Sequence, residues 1–89
     1  MSKEKLRAQL EELHAELHQA DSLDPQQREM LQTLANDIER LLNREEIAPH
    51  HYRGLREQLS ESLAELEASH PQITLLMRRA IDSLSVLGI

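Results

Sequence analysis

The chain contains no cysteine, no phenylalanine and no tryptophan, and Tyr52 is its single aromatic residue. Without cysteine no disulfide can staple the fold and no thiol nucleophile is available, a pattern that fits a reducing compartment. Two glycines leave no loop that could cradle a phosphate. Ser60, Ser62, Ser69, Ser83 and Ser85 all lack the glycine-flanked turn that exposes a serine nucleophile. Long apolar runs are missing too. The most apolar stretch, 73–89, is broken by Arg78, Arg79 and Asp82 and is short for a membrane span. The opening Met1-Ser2-Lys3-Glu4-Lys5 is charged and no apolar stretch of signal-peptide length follows it, so a soluble, cytoplasmic protein is expected. Basic residues are outnumbered, 10 Lys and Arg against 16 Asp and Glu, and the Arg78-Arg79 pair is no basic stripe. Nucleic acid is not an expected partner, because a binder must neutralise phosphates with a basic face.

What remains is leucine at helical spacing. Leu6, Leu10, Leu13 and Leu17 step by 4, 3 and 4 residues. Leu31, Leu34, Ile38 and Leu41 step by 3, 4 and 3, and Leu55, Leu59, Leu63 and Leu66 by 4, 4 and 3. Ile73, Met77, Ala80, Leu84 and Leu87 continue the pattern. Each set lies on one stripe of a helix and leaves the other faces to solvent. The expected core is Leu, Ile, Met and Ala, a composition suited to helix-on-helix packing.

Punctuation divides the seams into four helices. The first is predicted over about 3–20 with Ser2 as N-cap, and Asp21-Ser22-Leu23 ends it. Asp24-Pro25-Gln26-Gln27 reads as a capping box with proline at the first helical position. The second helix then runs to about Asn43, and the short turn folds it back on the first as an antiparallel hairpin. Residues 44–49 read as a loop closed by Pro49, and a third helix is predicted from His50 to Ala68. Gly54 within it fits either close approach of another backbone or a tolerated surface glycine. Ser69-His70-Pro71 either caps a fourth helix beginning at Pro71 or kinks one long helix, and the break is favoured. Gly88 fits a helix stop. The fold class expected is all-α, a single domain over 1–89, in which antiparallel hairpins with coiled-coil-like seams make a small four-helix bundle.

Four segments carry a family resemblance: Leu10-Glu11-Glu12-Leu13-His14, Asp37-Ile38-Glu39-Arg40-Leu41-Leu42, Glu67-Ala68-Ser69-His70-Pro71 and the closing Leu87-Gly88-Ile89. Nearly the whole chain resembles a family of short bacterial helical proteins without an assigned function. The resemblance implies a bacterial origin and a single domain, and it carries over no activity. Members carry an aromatic residue where this chain has Leu66, which argues against a fixed aromatic site there.

Five histidines invite a metal hypothesis. His14 and His18 are one helical turn apart, a spacing with which two imidazoles chelate one ion. The zinc-protease motif is absent, because the glutamate of His14-Ala15-Glu16-Leu17-His18 is misplaced. Glu11 with His14, and Glu67 with His70, repeat the carboxylate–histidine spacing of di-iron bundles. Glu39 is the one further donor on offer from the second helix. For each histidine the blander reading, a solvated flank or a helix boundary, outweighs the ligand. His50-His51 reads as a wet helix start.

The function expected is a non-enzymatic helical module that associates with proteins, a homodimer first, and that uses no cofactor. Its interface is expected on the fourth helix, at Ile73, Leu76, Met77, Ala80, Ile81, Leu84 and Leu87. That helix is apolar over a wide arc and must be covered on two sides, one cover being expected from another subunit. The alternative is a metal-binding bundle using Glu11, His14, His18, Glu67 and His70.

Overall fold

The computed structural model describes residues 3–44 and 49–88. Four helices follow one another: α1 (Lys3–Gln19), α2 (Pro25–Leu42), α3 (Pro49–Leu66) and α4 (Pro71–Val86). No strand occurs among the described residues. Ser2 and positions 45–48 of the expected loop lie outside them.

Local chemistry sets the boundaries. Asp24 Oδ1 accepts from the Gln27 amide at 2.7 Å, and the Asp24 amide donates to Gln27 Oε1 at 3.2 Å, closing the capping box at the start of α2. Ser22 takes φ 56°, a left-handed conformation that turns the chain between α1 and α2. Between α3 and α4 the helix stops rather than kinks. The amides of Ser69 and His70 both bond back to the Leu66 carbonyl, and Pro71 opens α4. At the far end of α4, Gly88 takes φ +80° and its amide donates to Ser85 O, a glycine C-terminal stop.

The helices form a closed ring. α1 packs on α2, α2 on α3, α3 on α4, and α4 returns to α1, while the diagonal pairs do not approach. Direction follows from individual contacts. Arg7 near the start of α1 donates to the Leu42 carbonyl at the end of α2. Glu67 just after α3 meets Arg78 of α4, and Ser83 late in α4 meets Gln9 early in α1. Every neighbouring pair in those contacts is antiparallel, so the bundle runs up, down, up, down. A radius of gyration of 12.3 Å compares with about 12 Å for a compact chain of this length.

One core cluster draws on all four helices: Leu6, Leu10, Leu13 and Leu17 of α1, Leu31, Leu34, Ala35, Ile38 and Leu41 of α2, Tyr52, Leu55, Leu59 and Leu66 of α3, and Ile73, Leu76, Met77, Ala80 and Leu84 of α4. Each fully buried leucine or methionine contributes roughly 1.5–3 kcal/mol by leaving water, against the entropy of ordering the chain. Leu34, Ile38, Met77 and Leu84 are completely covered.

Two expectations need correction. On α3 the inward register is Tyr52, Leu55, Leu59, Ser62 and Leu66, steps of 3, 4, 3 and 4. Ser62 is 2% exposed, and Leu63 is displaced to the flank. The second correction concerns α4. Its two apolar sides are covered by α3 and α1 within a single copy, because the ring closes. Ile73, Leu76, Met77, Ala80 and Leu84 are therefore buried, and Ile81 and Leu87 pack partly against the core. A second copy could reach the five buried members only if α4 left the bundle. The large apolar side chains that α4 does expose are Leu75 and Val86.

Candidate functional site

Among the described residues the buried polar side chains are Ser62, Thr74 and Ser83, none of which ionises in the ordinary range. The Thr74 hydroxyl donates to the Pro71 carbonyl at 2.9 Å, and that of Ser83 donates to Gln9 Oε1. The charged side chains of the described residues therefore sit on or near the outside of the bundle.

The histidine–carboxylate candidates separate into unrelated places. His14 and His18 project side by side from α1, with Nε2 atoms 3.3 Å apart and rings meeting edge to face at a centroid distance of 4.5 Å. Glu39 of α2 comes across the α1–α2 seam, its Oε2 4.0 Å from His14 Nε2. Glu11 points elsewhere, toward Arg7 at 3.6 Å. Glu67 is held by Arg78. His70 lies at the end of the bundle, where Nε2 meets the Asp21 carbonyl at 3.1 Å and Nδ1 meets Ser69 Oγ at 2.9 Å.

Asp21 follows His14 by seven positions, five of them within α1, which sets the two roughly 10 Å apart along the axis. Glu11-x-x-His14 and Glu67-x-x-His70 thus do not converge, and the di-iron arrangement is not built. His70 also fails as a side-chain cap. It occupies the N-cap position of α4 through its backbone, but its ring makes no cap bond. Among the described residues no group of three His, Cys, Asp or Glu side chains could hold a metal ion.

A second feature joins α2 and α3. An open groove of about 260 Å³ runs between them, walled by Asp37, Arg40, Arg44, His50 and His51 and floored by Leu41, Leu55 and Gln58. Asp37 occupies Arg40 at 3.6 Å, and the His50 and His51 rings lie 4.1 Å apart by their centroids. Gln58 Oε1 is buried beside it without a hydrogen-bond partner. Gly54 lines the same groove, and a Cβ built there meets nothing within 4 Å. Nothing among the described residues packs on that position, so it is a tolerated surface glycine. The grouping of both arginines with both histidines was legible only in part. Arg40 lies in the last turn of α2 and Arg44 just past its end, and their meeting with His50 and His51 depends on how α3 folds back.

A groove of about 490 Å³ lies where α1 turns into α2, lined by Leu17, Ala20, Leu23, Leu31 and Ala35 with His18 and Arg28, and another on α3 is bounded by Arg53, Arg56, Glu57, Ser60 and Glu61. No helix among the described residues is long and apolar enough to cross a membrane.

The family described as "Domain of unknown function (DUF4404)" matches residues 6–89, and the chain belongs to it. No curated protein and no solved structure matches the chain.

Proposed function

We propose that this DUF4404 protein is a non-enzymatic, cytoplasmic helical module that acts by protein association, pairing first with a second copy of itself through the outer face of α4. The observation that carries the reading is the stripe Leu75, Arg79, Asp82 and Val86, whose members are all exposed. Their steps of 4, 3 and 4 hold them along one line of the helix. Leu75 and Val86, at 48% and 63% exposure, are the large hydrophobics that the described surface leaves open.

The stripe is self-complementary. When two copies of α4 lie antiparallel across a two-fold axis, Leu75 faces the partner's Val86 and Arg79 faces the partner's Asp82. Apolar meets apolar and cation meets anion, twice over, which is what an isologous contact requires. The reading also accounts for the buried set of α4: it seals the bundle, and association is left to the opposite side. The acidic balance of the whole chain and its unsplit apolar core leave nucleic acid and membrane as poor partners.

Sedimentation equilibrium and light scattering on the purified chain, carried to high micromolar concentration, test the proposal. One helix face makes a small interface, so a concentration-dependent dimer is expected rather than a permanent one. Reversing Arg79→Asp alone should weaken it, and adding Asp82→Arg should restore it, because the pair then faces itself with the signs exchanged. A strictly monomeric chain across the range, or a dimer indifferent to Leu75→Glu and to the charge reversals, would overturn the proposal.

A further inference from the structure

The chain carries 16 acidic residues against 10 basic ones, yet the groove between α2 and α3 reverses that balance. Among the described residues its lining holds Arg40, Arg44, His50 and His51 with one carboxylate, that of Asp37. Asp37 does not cancel the arginines. It pairs with Arg40 at 3.6 Å, and the Arg40 side chain is 72% exposed, so the pair is loose and well solvated. Arg44 makes no salt bridge among the described residues.

The α3 wall adds donors and room. His50 and His51 stand in the first turn of α3, at the positive end of that helix. A neutral imidazole there still presents one N–H. Gly54, one turn further on, puts no side chain into the groove. Gln58 holds its Oε1 buried without a hydrogen-bond partner, which is a costly arrangement. Swinging that amide outward into the groove relieves the cost and brings an N–H to whatever is bound.

We infer that this groove binds a phosphate group, free or as the head of a small monoester. Its donors come from two helices and outnumber the oxygens of a carboxylate, whereas a phosphate has acceptors for all of them. Guanidinium forks on one wall suit those oxygens, and side chains do the holding, so no glycine-rich loop is needed. A volume of about 260 Å³ admits only a small ligand. Leu41 and Leu55 on the floor give a short carbon body an apolar seat. The site uses α2 and α3 and not the outer face of α4, so it and the association proposal stand or fail separately.

The test titrates the isotope-labelled full chain with sodium phosphate to millimolar concentration, at neutral pH and constant ionic strength, and follows the amide shifts by NMR. Saturable shifts are expected at the end of α2 and the start of α3. Arg44→Gln should weaken binding about fivefold or more. Arg28→Gln, which removes the same charge at the far end of α2, should leave it unchanged. Glycerol phosphate is the second probe. Tighter binding than phosphate supports the site as one for a monoester, and equal or weaker binding supports it as one for the free ion. The inference is overturned by an absence of saturable shifts, by sodium acetate producing the same shifts at the same concentration, or by Arg28→Gln weakening binding as much as Arg44→Gln. Circular dichroism of both variants establishes that they keep the fold.

Discussion

The imidazole of His70 donates from Nε2 to the main-chain carbonyl of Asp21 at 3.1 Å, joining positions 49 residues apart. A carbonyl only accepts, so Nε2 carries the hydrogen. Nδ1 at the same time meets Ser69 Oγ at 2.9 Å. One ring therefore ties the turn between α3 and α4 to the turn between α1 and α2, and with it one hairpin to the other. Histidine at this position is a structural fastening. The apolar seams cannot supply it, because they grip the sides of the rods and not their ends.

His70→Ala removes that tie and leaves the Asp21 carbonyl to water. The expected loss is about 1 kcal/mol, which lowers the melting temperature by roughly 4–8 °C in a domain of this size. Hydrogen exchange gives a sharper check. The amides of the two turns should lose protection together, although the substitution touches only one of them.

The two glycines should answer the same substitution with opposite signs. Gly54 sits inside α3 with open space where a Cβ would go, so Gly54→Ala should stabilise by roughly 0.5–1 kcal/mol through helix propensity. Gly88 holds φ +80° at the end of α4, and Gly88→Ala should destabilise by about 1 kcal/mol. Urea unfolding of the two variants beside the parent chain measures both. A loss of stability on Gly54→Ala would mean that something packs on that face in solution.

Charge at the surface should matter far less than the geometry of a cap. Asp24→Ala deletes the acceptor that starts α2 and should cost about 1 kcal/mol. Glu67→Gln breaks the pair with Arg78, whose two side chains are 57% and 52% exposed, and it should change stability by under about 0.5 kcal/mol. Thermal melts of the two variants at matched ionic strength rank them. A larger effect at Glu67 than at Asp24 would contradict the capping-box account of the α1–α2 turn.

Most of the helix boundaries could be read from the sequence, because proline stands at the start of three helices, at Pro25, Pro49 and Pro71. A proline at the first turn costs nothing there and forbids a helix running through it. The two hairpins followed from the same punctuation. The α3 register did not, because Leu55, Leu59, Leu63 and Leu66 also recur at helical spacing and compete with the true inward row. Leu63 completes a row of leucines, but the alternation of 3 and 4 steps runs through Ser62 and reaches back to Tyr52. That alternation was present in the sequence and would have found both. The cover of α4 was a different matter. The width of an apolar arc says how many neighbours a helix has, not whether they belong to the same molecule. Closure of α4 on α1 is a long-range event, fixed by contacts such as Ser83 with Gln9, 74 residues apart.

The candidate site divided in the same way. Spacing along α1 brought His14 and His18 together, since one turn of helix is a local property. Glu39 joined them only because α2 folds back at a particular height, and Glu11, nearer in sequence, turned to Arg7 instead. Spacing also matched Glu67 with His70, yet each found its partner off its own helix, in Arg78 and Asp21.

The return of α4 alongside α1 brings the outer turns of both rods to one pole, with the His70 fastening at the other. A short peptide spliced from Gly88 to Lys3 would make the polypeptide a covalent loop, and the 21–24 turn could then be cut open to give new termini. Such a permutant should keep the same interior, since the order in which the four rods are strung matters less than which rods are neighbours.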